Sequence, residues 1–265
     1  MCWRHVLGAA LAALSAGAGR AAAPGGLAAG GRTAYRFILQ DVSYQSDEPD
    51  QRADLYLPDE KPALELRPAL VWMHGNHHDK ADPREKNVCA NLADAGYVCL
   101  TINYGSWPDS DADEQHSPRI LQNLANARSA LRYLVSHQKA YGINPRRIAI
   151  GGASAGGWLA LMTGFRQGRG AVSAVIDFYS DIDPWIRSSV SAESPPVLIV
   201  QGKADPEVPY RDSVWLADAL AAKGVPHQLL LLEGVGHAFD LETWQKRPLS
   251  QDLRPVVLGF LKQHL

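Results

Sequence analysis

The stretch Ile150-Gly-Gly-Ala-Ser154-Ala-Gly-Gly-Trp158 decides how this chain is read. Within it, Gly152-Ala153-Ser154-Ala155-Gly156 has the Gly-x-Ser-x-Gly spacing of a sharp strand-to-helix turn that lifts a serine hydroxyl clear of a sheet. The context agrees: apolar Arg147-Ile-Ala-Ile150 precedes it as a strand, and Trp158-Leu-Ala-Leu-Met162 follows as a helix. So tight a turn forces the serine into an unfavourable backbone conformation. Its neighbours must be small, because larger side chains would collide with the adjoining strand and helix. The hydroxyl then lies at a helix N-terminus, where aligned peptide dipoles favour an anion. A plain helix N-cap is the duller role for Ser154, and it would not require the glycines.

Working outward, strands alternate with helices. Tyr35–Tyr44, Ala53–Leu57, Pro68–Met73, Tyr97–Ile102, Arg147–Ile150, Val172–Phe178, Val197–Gln201 and His227–Leu232 read as eight strands, the first two as an antiparallel edge. Helices are expected at Arg84–Ala95, Pro118–Tyr141, from Ser154, at Arg211–Lys223 and near Gln251–Gln263. The long second helix places Ile120, Leu121, Leu124, Ala127, Leu131, Leu134 and Val135 at helical spacing, and Gly142 ends it. The pattern predicts an α/β fold, a mostly parallel eight-stranded sheet with helices on both faces.

A serine hydroxyl is a weak nucleophile until a base takes its proton and a third group orients that base. His237, in Gly234-Val-Gly-His237, directly follows a strand and is the candidate base. Asp205, in Gly202-Lys-Ala-Asp205-Pro, follows the preceding strand and is the candidate acid, with Glu207, Asp181 and Asp183 as competitors. All three triad candidates sit where strands end, the usual ligand-binding edge of an open sheet. Acyl chemistry also needs N–H donors for a developing oxyanion. Ala155 can supply one, and Asn76 and His77, in the loop His74-Gly75-Asn76-His77 after a strand, can supply others.

These four motifs, in this order, resemble the α/β-hydrolase family, in particular its small esterase- and lipase-like members. The resemblance spans roughly residues 35–265 and implies a cofactor-free serine hydrolase of small-molecule carboxylic esters, with the triad Ser154, Asp205 and His237. It also implies an oxyanion hole of Asn76, His77 and Ala155. A prolyl-oligopeptidase-type peptidase shares the motifs, although the region before them is too short for that group's propeller. A catalytically inactive binding protein on this fold is a further alternative. Relatives commonly carry His-Gly-Gly-Gly where this chain has His-Gly-Asn-His, so a positive φ in that loop becomes costlier and the acyl site more polar. Relatives also often place His where this chain has Gln201, to which no chemistry is attached. Trp107 and Trp185 are expected in the substrate pocket.

The remainder is bounded by composition. The 265 residues carry a net charge of −2, with 46% apolar and 20% charged residues, ordinary for a globular domain and without the basic face that nucleic acid needs. Residues 1–23 run from Arg4 and His5 through Val6–Leu14 to Ala21-Ala-Ala23, the order of a secretory signal. Residues 24–34 are then a flexible leader, and the mature chain, without a membrane span, is expected to be secreted or periplasmic. The sequence leaves the oligomeric state open. Cys89 and Cys99 are read as two separate buried thiols, with a disulfide between them, which an oxidising compartment would permit, as the alternative. No metal is expected. His74, His77, His78 and Asp79 lack zinc-site spacing, and the Asp109, Asp111, Asp113 run has Glu114 where a calcium loop requires Gly. His116, His137, His227 and His264 are read as surface groups.

Overall fold

The computed structural model describes residues 37–45, 51–58, 66–106 and 117–265. The proposed signal and leader, Trp107, the Asp109–Asp113 run and His116 lie outside the described residues. The elements are β1 (Phe37–Ser43), β2 (Arg52–Leu57), β3 (Arg67–Met73), α1 (Pro83–Asp94), β4 (Val98–Ile102), α2 (Pro118–Ser136), α3 (Gln138–Tyr141) and β5 (Ile143–Ala153). They continue with α4 (Ala155–Gln167), β6 (Ala174–Phe178), α5 (Pro184–Ser189), β7 (Val197–Gly202), α6 (Tyr210–Ala222), β8 (His227–Leu232), β9 (Thr243–Trp244), β10 (Arg247–Pro248) and α7 (Arg254–His264).

Eight strands form one sheet in the order β1-β2-β4-β3-β5-β6-β7-β8. From β4 to β8 every neighbouring pair is parallel, and β2 is antiparallel to both β1 and β4. This is the mostly parallel sheet expected from the alternation, with only β2 running against the rest, and the α/β-hydrolase fold that the resemblance implies. The fully buried central strands explain the continuous apolar runs in the sequence.

Strand residues alternate between two cores. Val71, Leu100, Ile150, Val175 and Ile199 face α2, α4, α5 and α6, whereas Leu70, Trp72, Cys99, Ile176 and Leu198 face α1 and α7. Along α2 the stripe Ile120, Leu124, Ala127, Leu131 and Leu134 is buried, but Leu121 and Val135 point outward. The expected 118–141 helix breaks at His137. This histidine is not an idle surface group: its Nδ1–H donates to Tyr133 O at 2.9 Å and its ring stacks on Tyr133 at 4.1 Å. Gly142 then adopts φ 65° and closes α3, as its position implied.

Helix α5 and the β9–β10 hairpin were not expected. Asp183 caps α5 by accepting from Ile186 N at 2.8 Å, with Pro184 at the first helical position. The β9–β10 hairpin presents Trp244 beneath the His237 loop, donating Nε1–H to His237 O at 3.1 Å.

Of the two readings of the cysteines, separate thiols are overturned and the disulfide is found. Cys89 of α1 and Cys99 of β4 form a disulfide with Cα atoms 5.3 Å apart. The reason is local: α1 leads straight into β4 and packs on the face to which Cys99 points, so the helix-to-strand return brings the two β-carbons together.

Beneath α4, Asp177 of β6 is fully buried. It accepts the Ser180 hydroxyl at 2.5 Å, and its Oδ2 has no hydrogen-bond partner among the described residues. Burial pushes its carboxyl up to about 7, against the hydrogen bonds from Ser180.

The double variant Cys89→Ser/Cys99→Ser is expected to lose about 2–3 kcal/mol of stability, the loop-closure value for so short a ring; equal denaturant midpoints with the parent would contradict this. For Asp177, the unfolded carboxyl ionises near its ordinary value while the folded one still holds its proton. Wild-type stability from this group therefore falls as pH rises from about 4 to about 7. Asp177→Asn removes that loss, so its stability relative to wild type should increase between pH 5 and 8. A pH-independent difference in urea midpoints would refute the assignment.

Candidate active site

The elbow forms because β5 runs into α4 with one residue between them. Ser154 takes φ 53° and ψ −119°, its N–H donates to Phe178 O at 2.8 Å, and its carbonyl accepts from Trp158 N at 3.0 Å. A Cβ on Gly156 would overlap the carbonyl oxygens of Met73 and His74, and one on Gly152 would overlap the Gly156 carbonyl. The two glycines are therefore dictated by how closely α4 approaches the end of β3.

His237 and Asp205 converge on this serine. Ser154 Oγ lies 3.0 Å from His237 Nε2, and His237 Nδ1 lies 2.7 Å from Asp205 Oδ2. A carboxylate only accepts, so Nδ1 carries the proton and Nε2 is left to accept from the hydroxyl. Asp205 Oδ1 is held by the N–H groups of Glu207 at 2.8 Å and Val208 at 2.9 Å. Burial alone would raise the Asp205 carboxyl. The hydrogen bonds from His237 and these backbone donors outweigh it and hold the group below the usual carboxylate range. Of the competing acids, Glu207 is exposed and approaches Nε2 only to 3.7 Å, Asp183 is spent capping α5, and Asp181 lines the cleft mouth.

Ser154 and His237 open onto a cleft of about 510 Å³. Asn76, His77 and Ala155 share that lining. The loop after β3 is a turn closed by His78 N–H donating to Gly75 O at 3.3 Å, with His77 at φ 59°. The side chains of the non-glycine loop turn outward, Asn76 Nδ2 bonding His77 Nε2 at 3.1 Å. His74 is buried against Tyr104, ring centroids 4.2 Å apart, and burial lowers its pKa to about 4 despite the Gly75 carbonyl that its Nδ1–H contacts. It is neutral at any working pH. His78 instead contacts Arg84 and Asp82, and no group of three or more metal-ligating side chains is assembled among the described residues.

Trp185 does not line the cleft. It packs edge-on against Trp158 at 5.5 Å, under the Arg166 guanidinium, and Trp158 takes the wall position. Sequence reasoning also missed Tyr179, Arg84 and Glu85. Tyr179 meets the His237 ring edge-on at 4.7 Å and donates its hydroxyl to Phe239 O at 2.8 Å. Its place just past β6 was the available signal. Glu85 is buried inside α1, where nothing in the sequence marks it. Burial raises its carboxyl to about 7 against the hydrogen bond donated by Trp72 Nε1 at 2.5 Å and one from the Gly75 backbone. Seven non-glycine residues among those described have positive φ, and four of them (His77, Ser154, Tyr179 and Ala238) line this cleft. Such strain collects at functional sites.

A sequence profile of the family BD-FAE matches residues 53–189, and one of the prolyl oligopeptidase family, Peptidase_S9, matches residues 167–265. Curated relatives include a probable carboxylic ester hydrolase, LipM, of Mycobacterium tuberculosis, 27% identical with 72% of this chain and 52% of the relative covered. Esterase LipC of the same organism is 24% identical, with 78% of this chain and 61% of the relative covered. The chain thus spans about half to three-fifths of the length of these relatives. Solved structures that share the fold include a truncated carbohydrate esterase from gut microbiota, with TM-score 0.70 and 21% identity over 87% of this chain and 97% of that one. Another is Thermogutta terrifontis esterase 2 phosphorylated by paraoxon, with TM-score 0.65 and 23% identity over 85% of this chain and 91% of that one. The BD-FAE match takes in half of the sequence, including the loop after β3 and the Ser154 elbow, and on that basis the chain belongs to the BD-FAE family within the α/β-hydrolase fold.

Proposed function

We propose that this chain hydrolyses carboxylic esters through an acyl-enzyme, with Ser154 as nucleophile, His237 as general base and then acid, and Asp205 as the group that orients the imidazole. One observation carries the proposal: the unbroken line from Ser154 Oγ to His237 Nε2 at 3.0 Å and from Nδ1 to Asp205 Oδ2 at 2.7 Å. Ser154 Oγ attacks the ester carbonyl carbon as its proton passes to Nε2. The carbonyl oxygen becomes an oxyanion within reach of the N–H groups of Ala155, Asn76 and His77. Collapse breaks the bond to the alcohol, which leaves with the proton from Nε2. Water then attacks the acyl-serine under the same base and releases the acid. Every proton in this cycle is carried by groups that the chain itself provides, so the reading calls for no cofactor.

The names of the esterase relatives and of the paraoxon-modified neighbour support an ester substrate and a reactive serine. The Peptidase_S9 match gives the peptidase reading some standing, but it spans Asp205 and His237 without Ser154 or the loop after β3. Export to an oxidising compartment is part of the proposal. It is supported by the signal-like order of residues 1–23 and by the Cys89–Cys99 bond, a kind of link that persists mainly outside the cytosol.

Ser154→Ala is expected to lower kcat roughly 10⁶-fold, as found when a comparable triad is dissected, and to abolish labelling by a fluorophosphonate probe. Wild type should cleave short acyl, feruloyl or acetyl-sugar esters and leave peptide anilides intact. A wild type that neither reacts with the probe nor hydrolyses any ester of the panel would leave only a binding role, and cleavage of the anilides alone would favour the peptidase.

A further inference from the structure

We infer that Gln201 is a positioning residue that completes the acid end of the relay, a role that rests on the Ser154–His237–Asp205 reading above. Gln201 is the penultimate residue of β7 and is completely buried. A primary amide without exposure must satisfy its polar atoms internally. Its Nε2 lies 2.9 Å from Asp205 Oδ2, 3.2 Å from Gly202 O and 3.2 Å from Val208 O. The Ser213 hydroxyl of α6 donates to Oε1 at 3.4 Å. Three acceptors at one end and a donor at the other fit only one orientation of the amide, with NH₂ toward the acid.

Two consequences follow from these contacts. The amide bridges the carbonyls of Gly202 and Val208, which bracket the loop carrying Asp205, and so it staples that loop closed. It also completes the acid's coordination. Oδ1 takes two backbone N–H groups, and Oδ2 takes His237 Nδ1–H and Gln201 Nε2–H, so each oxygen accepts two donors. A carboxylate filled in this way neither rotates nor readily protonates. Because Gln201 shares Oδ2 with the imidazole, it draws off part of the charge that would otherwise stabilise the imidazolium. An amide does not titrate, so this tempering of the base is the same at every working pH.

Replacing the donor should therefore strengthen the base while loosening its support. Other groups facing the His237 ring are Glu207 and Tyr179, with Arg84 3.5 Å from the neighbouring Ala238 carbonyl. None of these is altered by a change at position 201. Gln201→Met keeps the volume and removes the donor. The acid limb of kcat/KM is expected to move about 0.5–1 pH unit upward, less than the roughly 1–2 units that one hydrogen bond to a charged group is worth, because the lost donor acts on the imidazole only through Asp205. The fall should lie in kcat, with KM little changed. Ser213→Ala, which frees the amide without disturbing the core volume, should give a smaller shift in the same direction and serves if the methionine variant fails to fold.

The proton on His237 Nδ1 gives a second readout, because its downfield NMR resonance does not depend on turnover. In the folded variants it should shift or be lost to exchange. An unmoved resonance together with an unmoved acid limb would overturn the role of Gln201 while leaving ester hydrolysis intact. A wild type inactive on every ester but with a resonance sensitive to position 201 would instead overturn the functional reading and retain the tie between Gln201 and the acid.

Discussion

The approach of α4 to the end of β3 is the contact on which the site depends. Peptide carbonyls of Met73 and His74 pack where a β-carbon on Gly156 would lie, so the helix can begin only if residues 152 and 156 have no side chain. That closeness drives Ser154 to positive φ and lifts its hydroxyl toward the sheet edge. It also sets the elbow beside the loop after β3. The proposed nucleophile and the proposed oxyanion donors are thus neighbours through backbone packing, before any side-chain contact is made.

Around that contact the charged groups are handled in opposite ways. Asp205 is surrounded by donors and stays ionised, whereas Glu85 and Asp177, more deeply buried, have too few donors to offset burial and hold their protons more tightly. Depth of burial and hydrogen-bond supply act in the same direction, since the two carboxyls farther from solvent are also the ones with fewer donors. Glu85 is further tied to Trp72 at the centre of the sheet and to the backbone of the loop after β3, which links the core of the domain directly to the cleft wall.

Much of this was legible in the amino-acid order because it is local. The Gly152–Gly156 spacing, the Asp205-Pro206 turn and the glycine-flanked His237 each follow an apolar strand, and strand order then places them on one edge. The alternation likewise specified the parallel sheet. What escaped was tertiary. Nothing near Cys89 and Cys99 states that α1 returns onto the face of β4 to which Cys99 points. Trp185 gives no sign that Trp158 will stand between it and the cleft. Glu85 reads as an ordinary polar residue of a helix until its neighbours are known. Asp183-Pro184 was a readable helix start, obscured because Asp183 also reads as a candidate acid.

The four left-handed residues around the cleft set the sequence against the backbone. At positions 77, 154, 179 and 238 an achiral residue would relax the main chain, yet each of these cleft-lining positions keeps a side chain. A mutant library sorted by heat resistance and the same library sorted by turnover would accordingly diverge at these four codons. The first would drift toward glycine and the second would hold the side chains that meet the reacting groups, so that tolerance to temperature and competence in chemistry are traded at the same few places.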